Sequence, residues 1–163
     1  MAETWRLIVL KTVDCYTRCA INEALLKSVV ECKSPNTLRF LSIKPPSVNI
    51  GYFQKIKDVV NIEECKKLGI DIARRPSGGG AIYQDYRGEI TYAIVIKSHD
   101  KLVKGLDVEE TYSKLLQWLI NALRKLGLNA KHKPPNDTLV NGKKISGNAQ
   151  SRKYGAILQH GTI

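Results

Sequence analysis

The chain has 163 residues, of which 43% are hydrophobic and 25% are charged, as in an ordinary globular domain with a single core. Its apolar runs fall well short of the roughly 20 residues that a membrane-spanning helix needs, and "MAETWRLIVLKTVDC" is not a secretory signal, so we expect a cytoplasmic protein without membrane contact. The net charge of +11 favours anionic partners, but the lysines are dispersed and no DNA- or RNA-binding motif is present, which argues against nucleic acid.

The first half of the chain predicts strands and helices in alternation. "WRLIVL", "TLRFLSI" and the shorter "VNIGYFQ" indicate strands. "DVVNIEECKKLG" predicts a helix with Asp58 as its N-cap and Gly69 just past its end. An earlier helix, ending before "KSPN", is predicted from apolar residues at helical spacing, namely Ala20, Ile21, Ala24, Leu25 and Val29.

The second half contains the clearest elements. "IDIARR" indicates a strand, and "EITYAIVIK" is apolar on both faces, which predicts a central strand. A long helix begins at Asp107, where "DVEE" is a variant of the capping box, and Gly127 ends it. Asn141–Gly142 predicts a hairpin turn, and "YGAILQHGTI" a last strand. We predict an α+β fold with a mixed, mostly antiparallel sheet flanked by helices.

"RRPSGGGAIYQD", residues 74–85, contains the strongest candidate for a binding loop. Consecutive glycines allow backbone N–H groups to converge on an anion, and Arg74 and Arg75 add fixed positive charge. The loop matches neither the P-loop nor the dinucleotide-binding pattern. A flexible turn is the alternative, but the position between two strands favours a ligand loop.

The hairpin is the second candidate. Asn136 and Asp137 lie at its beginning, and Lys143 and Lys144 lie on its return strand. Adjacent residues of a strand point to opposite faces, so only one of the two lysines can face a site. Asp137 could ligate magnesium, which usually takes one or two carboxylates together with phosphate oxygens. A charged surface hairpin is the alternative interpretation.

Several stretches together resemble one family. "RRPSGGGAIYQD" is similar to the glycine motif of lipoate–protein ligases, "ND" with "NGKKISGNAQ" to their lysine segment, and "QHGTI" to their His-Gly-Thr strand. "PSVNIGYFQ", and "WRLI" followed by "AINEALL", match the family's earlier segments in order. The chain thus resembles the lipoate–protein ligase A family, in the biotin/lipoate protein ligase superfamily, which implies a fold related to class II synthetases and biotin ligases.

The resemblance implies an ATP- and Mg²⁺-dependent reaction in two steps. Lipoate is first converted to lipoyl-adenylate, and a lysine of an acceptor lipoyl domain then takes the lipoyl group. Lys144 matches the catalytic lysine, and Asp137 would also hold the metal. The residues that would bind the substrate and the adenylate are Arg75, Ser77, Gly78, Gly79, Gly80, Ala81, Tyr83, Asn136, Asp137, Ser146, Gly147, Ala149 and His160.

The implied partners are acidic lipoyl domains, from dehydrogenase E2 subunits or the glycine cleavage H protein, and they suit a chain of charge +11. Residues 1–163 would form a single catalytic domain without an accessory domain. Because the family's catalytic domain continues beyond the His-Gly-Thr strand, we expect a domain truncated at its C-terminal end. A separate accessory domain or segment would complete it.

Two departures and two alternatives remain. Gln84 replaces a common histidine, and "YRGEITYAIV" lacks the usual Gly-Asn wording, which leaves the acyl preference open.

An octanoyl or lipoyl transferase of the same fold would need a reactive cysteine near the loop. The cysteines form no Cys-x-x-Cys pair, and we interpret them as reduced structural thiols that precede the loop: Cys15, Cys19, Cys32 and Cys65. A biotin ligase would carry a Gly-Arg-Gly-Arg loop, which is absent, and a non-catalytic binding subunit is the other alternative.

Overall fold

The computed structural model describes residues 4–163 and has an α+β fold with two sheets, as predicted. The strands are β1 (Arg6–Val13), β2 (Thr37–Ile43), β3 (Ser47–Ile50), β4 (Asp71–Arg74), β5 (Ile82–Gln84), β6 (Thr91–Lys97), β7 (Ala130–Lys133), β8 (Asp137–Val140), β9 (Lys143–Lys153) and β10 (Ala156–Thr162). The helices are α1 (Cys15–Val30), α2 (Ile56–Val59), α3 (Ile62–Lys67) and α4 (Val108–Lys125). No helix in residues 4–163 has both the length and the apolar character needed to cross a membrane.

The larger sheet has seven strands in the order β1-β2-β6-β10-β9-β8-β7. Strands β1 and β2 are parallel because α1 crosses over between them, and every other neighbouring pair is antiparallel. The smaller sheet has the order β4-β3-β5 and carries residues 75–81, the glycine loop, between β4 and β5. The sheet is therefore mixed and mostly antiparallel, as the sequence predicted.

Strand β6 lies at the centre of the larger sheet and is covered on both faces, which confirms the prediction for "EITYAIVIK". Alternate residues point to opposite faces of a strand, so β6 supplies two cores. On the α1 side, the core contains Leu25, Leu26, Val29, Ala93, Val95, Ala156 and Leu158. On the α4 side, it contains Tyr92, Ile94, Ile96, Val103, Leu115 and Ile157.

Helix α1 differs from its prediction in where it begins and in which face it buries. It begins at Cys15, because the Asp14 side chain accepts a hydrogen bond from the Thr17 N–H and caps it. Ala20 and Ala24, which the sequence placed on the apolar face, are exposed. The buried face is polar in its first half and apolar in its second, and consists of Cys15, Arg18, Asn22, Leu25, Leu26 and Val29.

The helix predicted with Asp58 as its N-cap is wrong in where it begins and in its continuity, whereas Gly69 does lie just past its end, with a positive φ. Val60 is extended and divides this segment into α2 and α3, and Asn61 caps the second helix by accepting from the Glu64 N–H. Asp58 lies inside α2 and is exposed. Strands β5 and β7 were not predicted, because β5 has only three residues and β7, "AKHK", has one apolar residue, so neither shows an apolar alternation.

The hairpin predicted at Asn141–Gly142 is present. Both residues have positive φ, 48° and 79°, as the tight turn between β8 and β9 requires. The pairing register then shifts by one residue between Thr138 and Leu139. This irregularity lies beside Lys144, which pairs with Leu139 in the hairpin.

Replacing Asp107 with alanine should destabilise the fold by about 1 kcal/mol, because it removes a helix cap. The Asp107 side chain accepts from the Glu110 N–H at 2.8 Å, and the Glu110 carboxylate accepts from the Asp107 N–H at 2.9 Å. Urea unfolding measures the change in the free energy of unfolding. The matched control is Asp58→Ala, which removes an exposed aspartate that caps nothing and should change stability by less than about 0.5 kcal/mol. Equal losses in the two variants would contradict the assigned cap.

Candidate functional site

A cavity of about 270 Å³ lies between the glycine loop and the larger sheet. Its wall combines residues of the glycine loop, of the five strands β2, β5, β6, β9 and β10, and of the buried face of α1. The lining residues are Arg18, Arg39, Arg75, Gly79, Gly80, Ala81, Ile82, Gln84, Thr91, Tyr92, Asn136, Lys144, Gly147, Asn148, Ala149, His160, Gly161 and Thr162. The glycine loop and the hairpin, which the sequence suggested separately, therefore meet at one cavity.

Arg75 holds the glycine loop in its curved path. Its guanidinium donates to the carbonyl oxygen of Asn49 at 3.0 Å and to those of Gly78 and Gly80 at 2.7 Å each. The residue is 4% exposed, and burial lowers the pKa of its guanidinium. Arg75 lines the cavity, as expected of a ligand contact, but its nitrogens already donate to the protein backbone.

Gly79 and Gly51 let the glycine loop pack closely against the segment that follows β3. Of Gly78, Gly79 and Gly80, only Gly79 has a positive φ, at 95°. The loop also rests on Gly51, where an added Cβ would lie 1.9 Å from the Gly79 carbonyl oxygen. A side chain at Gly51 would thus displace the loop from the cavity wall.

His160 joins the glycine loop to the larger sheet. Its Nε2 lies 2.7 Å from the Ser77 Oγ, and both residues are buried. Burial, together with the charges of Arg18, Arg75 and Arg39, lowers the pKa of His160 well below its usual value. The imidazole is therefore neutral at physiological pH. Ser77 was predicted to bind ligand, but it stands behind His160 and does not line the cavity.

Lys144 lines the cavity and Lys143 does not. The Lys144 ammonium lies 2.8 Å from the Asp137 Oδ1, and 55% of its side chain is exposed, so it stands at the cavity mouth. A Cβ added to Gly147 would lie 3.1 Å from this ammonium, so the lysine passes directly over the glycine. Asp137 itself is not on the wall; it contacts the site through the lysine.

A hydrogen-bonded group fixes the hairpin against the sheet. The Asn148 Nδ2 donates to the Asn136 carbonyl oxygen at 2.8 Å and to the Ser146 Oγ at 3.3 Å. The Tyr92 hydroxyl donates to the Asn148 Oδ1. Asn136 lines the cavity, whereas the buried Ser146 only supports it. Sequence reasoning missed Tyr92 and Asn148, although Asn148 lies inside the quoted "ISGNAQ" segment.

Two other lining residues that sequence reasoning missed are Arg18 and Arg39, which are buried arginines on the cavity wall. Arg18 continues the buried face of α1 through Asn22 and Leu25, and Arg39 occupies a buried position in the alternating pattern of β2. Both periods were visible in the sequence. They were overlooked because arginine is seldom fully buried.

Two predicted site residues lie away from the cavity. Tyr83 is 54% exposed, and its hydroxyl contacts the Asp85 carboxylate. Gly78 lies outside the wall, at the Phe53 ring. In residues 4–163 no group of three or more histidine, cysteine, aspartate or glutamate residues could hold a metal ion. Asp137, which the sequence suggested as a metal ligand, is instead seen paired with the Lys144 ammonium.

The family model for the lipoyl protein ligase A/B catalytic domain matches residues 14–163. The chain belongs to this family. Among curated relatives, it is 35% identical to the octanoyltransferase LipM of Moorella thermoacetica over 181 residues, covering 99% of this chain and 65% of that protein. The ligase-family chain thus spans about two thirds of the length of this relative.

Solved structures agree with the family. The bi-partite lipoate protein ligase of Thermoplasma acidophilum, described with its E2 lipoyl domain, has a TM-score of 0.82 and 32% identity, over 99% of this chain and 62% of that one. A lipoate-protein ligase A bound with ATP has a TM-score of 0.79 and 30% identity, over 99% and 66%. The biotin acetyl coenzyme A carboxylase synthetase of Helicobacter pylori has a TM-score of 0.58 at only 14% identity, which shows a shared fold alone.

The four cysteines of this ligase-family chain are free thiols, as predicted, and none lines the cavity that the described residues form. Burial raises the pKa of the Cys15 thiol to about 11. Cys65 is buried within α3, and Cys32 is exposed after α1. Cys19 contacts the carbonyl oxygen of Arg74, on the outer side of the loop.

His160 should make folding sensitive to acid. Because its pKa is lowered in the folded protein, the unfolded chain binds the proton first as the pH falls. The stability that neutral His160 contributes is present above about pH 6.5 and is lost below it. We expect His160→Gln to remove part of this dependence, up to about 1.4 kcal/mol per pH unit.

The measurement is the difference in unfolding free energy between wild type and His160→Gln from pH 7.5 to 5. Glu89 acts in the opposite direction, because burial raises the pKa of its carboxyl to about 7. Its contribution is present below its ordinary pKa and is lost as the pH rises through 7. Glu89→Gln is therefore the control, and it should change the slope with the opposite sign. Parallel curves for wild type and His160→Gln would contradict the neutral, buried imidazole.

Proposed function

We propose that the chain is the catalytic part of an ATP-dependent lipoate–protein ligase. The observation that carries the proposal is the cavity itself, where the Lys144 ammonium and the backbone of Gly79 and Gly80 share one wall without a cysteine among the lining residues. Joining two anions requires positive charge more than a nucleophile. The Lys144 ammonium supplies such a positive charge at the cavity wall.

The first step would join lipoate to AMP. A carboxylate oxygen of lipoate attacks the α-phosphorus of ATP, the bond to the bridging oxygen breaks, and pyrophosphate leaves with the electron pair. Negative charge grows between the carboxylate and the phosphoryl oxygens. The Lys144 ammonium, held by Asp137 at the cavity mouth, would stabilise that charge, and the Gly80 and Ala81 segment would lie along the adenylate.

The second step would pass the lipoyl group to the acceptor. The amine of an acceptor lysine attacks the acyl carbon, the bond to the phosphate oxygen breaks, AMP leaves, and the amine loses a proton to solvent. His160 is a poor base for that proton, because its pKa is lowered. Its role would be to hold the glycine loop through Ser77.

ATP and Mg²⁺ fit this site in different degrees. The half-exposed ammonium and the loop backbone suit a phosphate chain, and a lipoate-protein ligase A of similar fold is described as bound with ATP. For magnesium, Asp137 supplies one carboxylate, already paired with Lys144. The phosphate oxygens and water would have to supply the other ligands, as is usual for this ion.

The second candidate is an octanoyltransferase of the same fold, favoured by the 35% identity to the LipM enzyme. Such a transferase would carry the acyl group on a cysteine thiolate. In the described residues, the cysteines lie outside the cavity, and the Cys15 thiol is protonated at physiological pH. This observation supports the ligase over the transferase.

The proposed acceptor is an acidic lipoyl domain, as in dehydrogenase E2 subunits or the glycine cleavage H protein. The net charge of +11 would attract it, and the Thermoplasma acidophilum ligase is described with its E2 lipoyl domain. That ligase is also described as bi-partite, so we propose that a second segment or polypeptide completes the activity of this chain. We propose the cytoplasm as its location.

Lys144→Met should weaken binding of a non-hydrolysable lipoyl-adenylate, its sulfamoyl analogue, by about ten- to a hundredfold, the effect of one lost charge-assisted hydrogen bond. Calorimetry measures the affinity, and thermal unfolding shows that the variant is folded. Lys143→Met is the matched control, because Lys143 lies next in sequence but off the cavity wall. Wild-type affinity in a folded Lys144→Met protein, or an equal loss in Lys143→Met, would reject the assigned role.

A variant with all four cysteines replaced by serine should still lipoylate an acceptor lipoyl domain from preformed lipoyl-adenylate. Mass spectrometry of the acceptor measures transfer, and mass spectrometry of the chain detects an acyl-enzyme thioester. Because the lipoyl-adenylate is supplied preformed, the assay bypasses the first step and any completing segment that this step would need. Loss of transfer, with a thioester in the wild type, would establish the transferase instead.

A further inference from the structure

The buried end of the cavity carries an uncompensated positive charge. Arg18 is 2% exposed and Arg39 is fully buried, whereas Lys144 at the mouth is half exposed. Both arginines line the cavity. They come from helix α1 and from strand β2 of the larger sheet, so neither belongs to the hairpin that carries Lys144.

The hydrogen bonds of these arginines are incomplete. Arg39 donates to the Thr91 Oγ1 and to the Asn22 Oδ1, each at 3.0 Å, but its buried Nε has no partner. Arg18 has two buried nitrogens without a partner, Nε and Nη2. A buried donor left unpaired destabilises the folded state, and more so when the group is charged.

No carboxylate of residues 4–163 forms an ion pair with Arg18 or Arg39, although the charge of Arg18 acts on the buried Glu89 carboxyl and opposes the rise that burial causes in its pKa. The hydrogen-bond partners of Arg39 are the neutral side chains of Asn22 and Thr91. Glu89 bonds to Gln84, at the side of the cavity, and does not line it.

The positive charges of Arg18 and Arg39 repel each other, and this repulsion contributes to the lowered pKa of Arg39. Burial, followed by the charge of Arg18, lowers the pKa of Arg39 to about 9. Burial, followed by the charges of Arg18, Arg75 and Arg39, also lowers the pKa of His160, so the histidine adds no further charge. A purely aliphatic ligand tail in this place would leave the guanidinium groups both unpaired and without water.

We propose that the buried end of the cavity is an oxyanion site, in which Arg18 and Arg39 bind a carboxylate or a similar small oxyanion. The forked donors of arginine match such a group, and the free Nε and Nη2 of Arg18 supply two of them. The site lies beyond the one assigned to the adenylate. Neither ATP nor an acceptor is needed to test it, so failure of the oxyanion site can be distinguished from failure of the ligase activity.

The oxyanion has two possible sources, which an experiment can separate. It is either a free ion that occupies the buried end, or a second carboxylate at the far end of an acyl ligand. Acetate and inorganic phosphate are the probes for the first source. Octanedioate compared with octanoate is the probe for the second, because the two differ at the distal end of one chain.

The test uses calorimetry and thermal unfolding of the whole chain in a buffer without small oxyanions. For a free ion, acetate or phosphate should raise the Tm in a saturable manner, as a ligand of the folded state does. For a distal carboxylate, octanedioate should bind about tenfold or more tightly than octanoate, in keeping with one charge-assisted contact. Either result supports the site.

Two variants locate the effect. Arg18→Met removes a buried cation without a partner, so it should raise the Tm in the absence of anions and abolish both responses. Arg87→Met is the matched control, because it removes the same charge from an exposed residue paired with Asp85 and should keep both responses.

Three results would overturn the proposal. The first is wild-type protein that neither binds the free anions saturably nor distinguishes octanedioate from octanoate, a result that needs no variant. The second is an Arg18→Met protein that responds as wild type does. The third is a folded Arg18→Met protein with a lower Tm than wild type in the anion-free buffer, which would assign Arg18 a structural role.

Discussion

The site depends on the hydrogen bonds of one buried guanidinium. Arg75 joins the end of β3, through Asn49, to two carbonyl oxygens of the glycine loop. These bonds turn the loop carbonyls inward to the arginine and leave the Gly80 and Ala81 segment on the cavity wall. A residue that looks like a ligand contact in the sequence thus acts first on the loop, and the charge that remains for a ligand belongs to its neighbours.

The loop is held at a second point by His160. The smaller sheet has no strand in common with the larger one, so the loop needs side-chain contacts to keep its place over β10. Ser77 provides one, and the neutral imidazole makes the contact compatible with three nearby arginines. Protonation at this position would add a fourth positive charge where no carboxylate of the described residues lines the wall.

The sequence predicted those parts of the fold that have strong local signals. The α4 capping box, the Asn141–Gly142 turn and the doubly buried β6 depend on neighbours a few residues away, and all are present. Asp58 failed as a cap because Val60 breaks the helix, which no composition rule indicates. Ala20 and Ala24 were placed on the wrong face of α1, because small apolar residues fit either face.

The candidate site was predictable in outline and not in its division of roles. Motif order was sufficient to suggest that the loop and Lys144 belong together, and both line the cavity. Motif order could not separate residues on the wall from those that support it, such as Ser77 and Ser146. Nor could it reveal Arg18 and Arg39, because their burial results from the packing of α1 on β2 and β6.

The bond between Ser77 and His160 joins residues 83 positions apart in the chain. During synthesis on the ribosome, the glycine-rich segment leaves the exit tunnel long before its anchor does. Contacts between distant residues form late, because closing a long loop costs entropy before the contact repays it. The nascent domain would therefore complete much of the scaffold that precedes β10 first, and acquire a shaped binding cleft only after β10 has been translated.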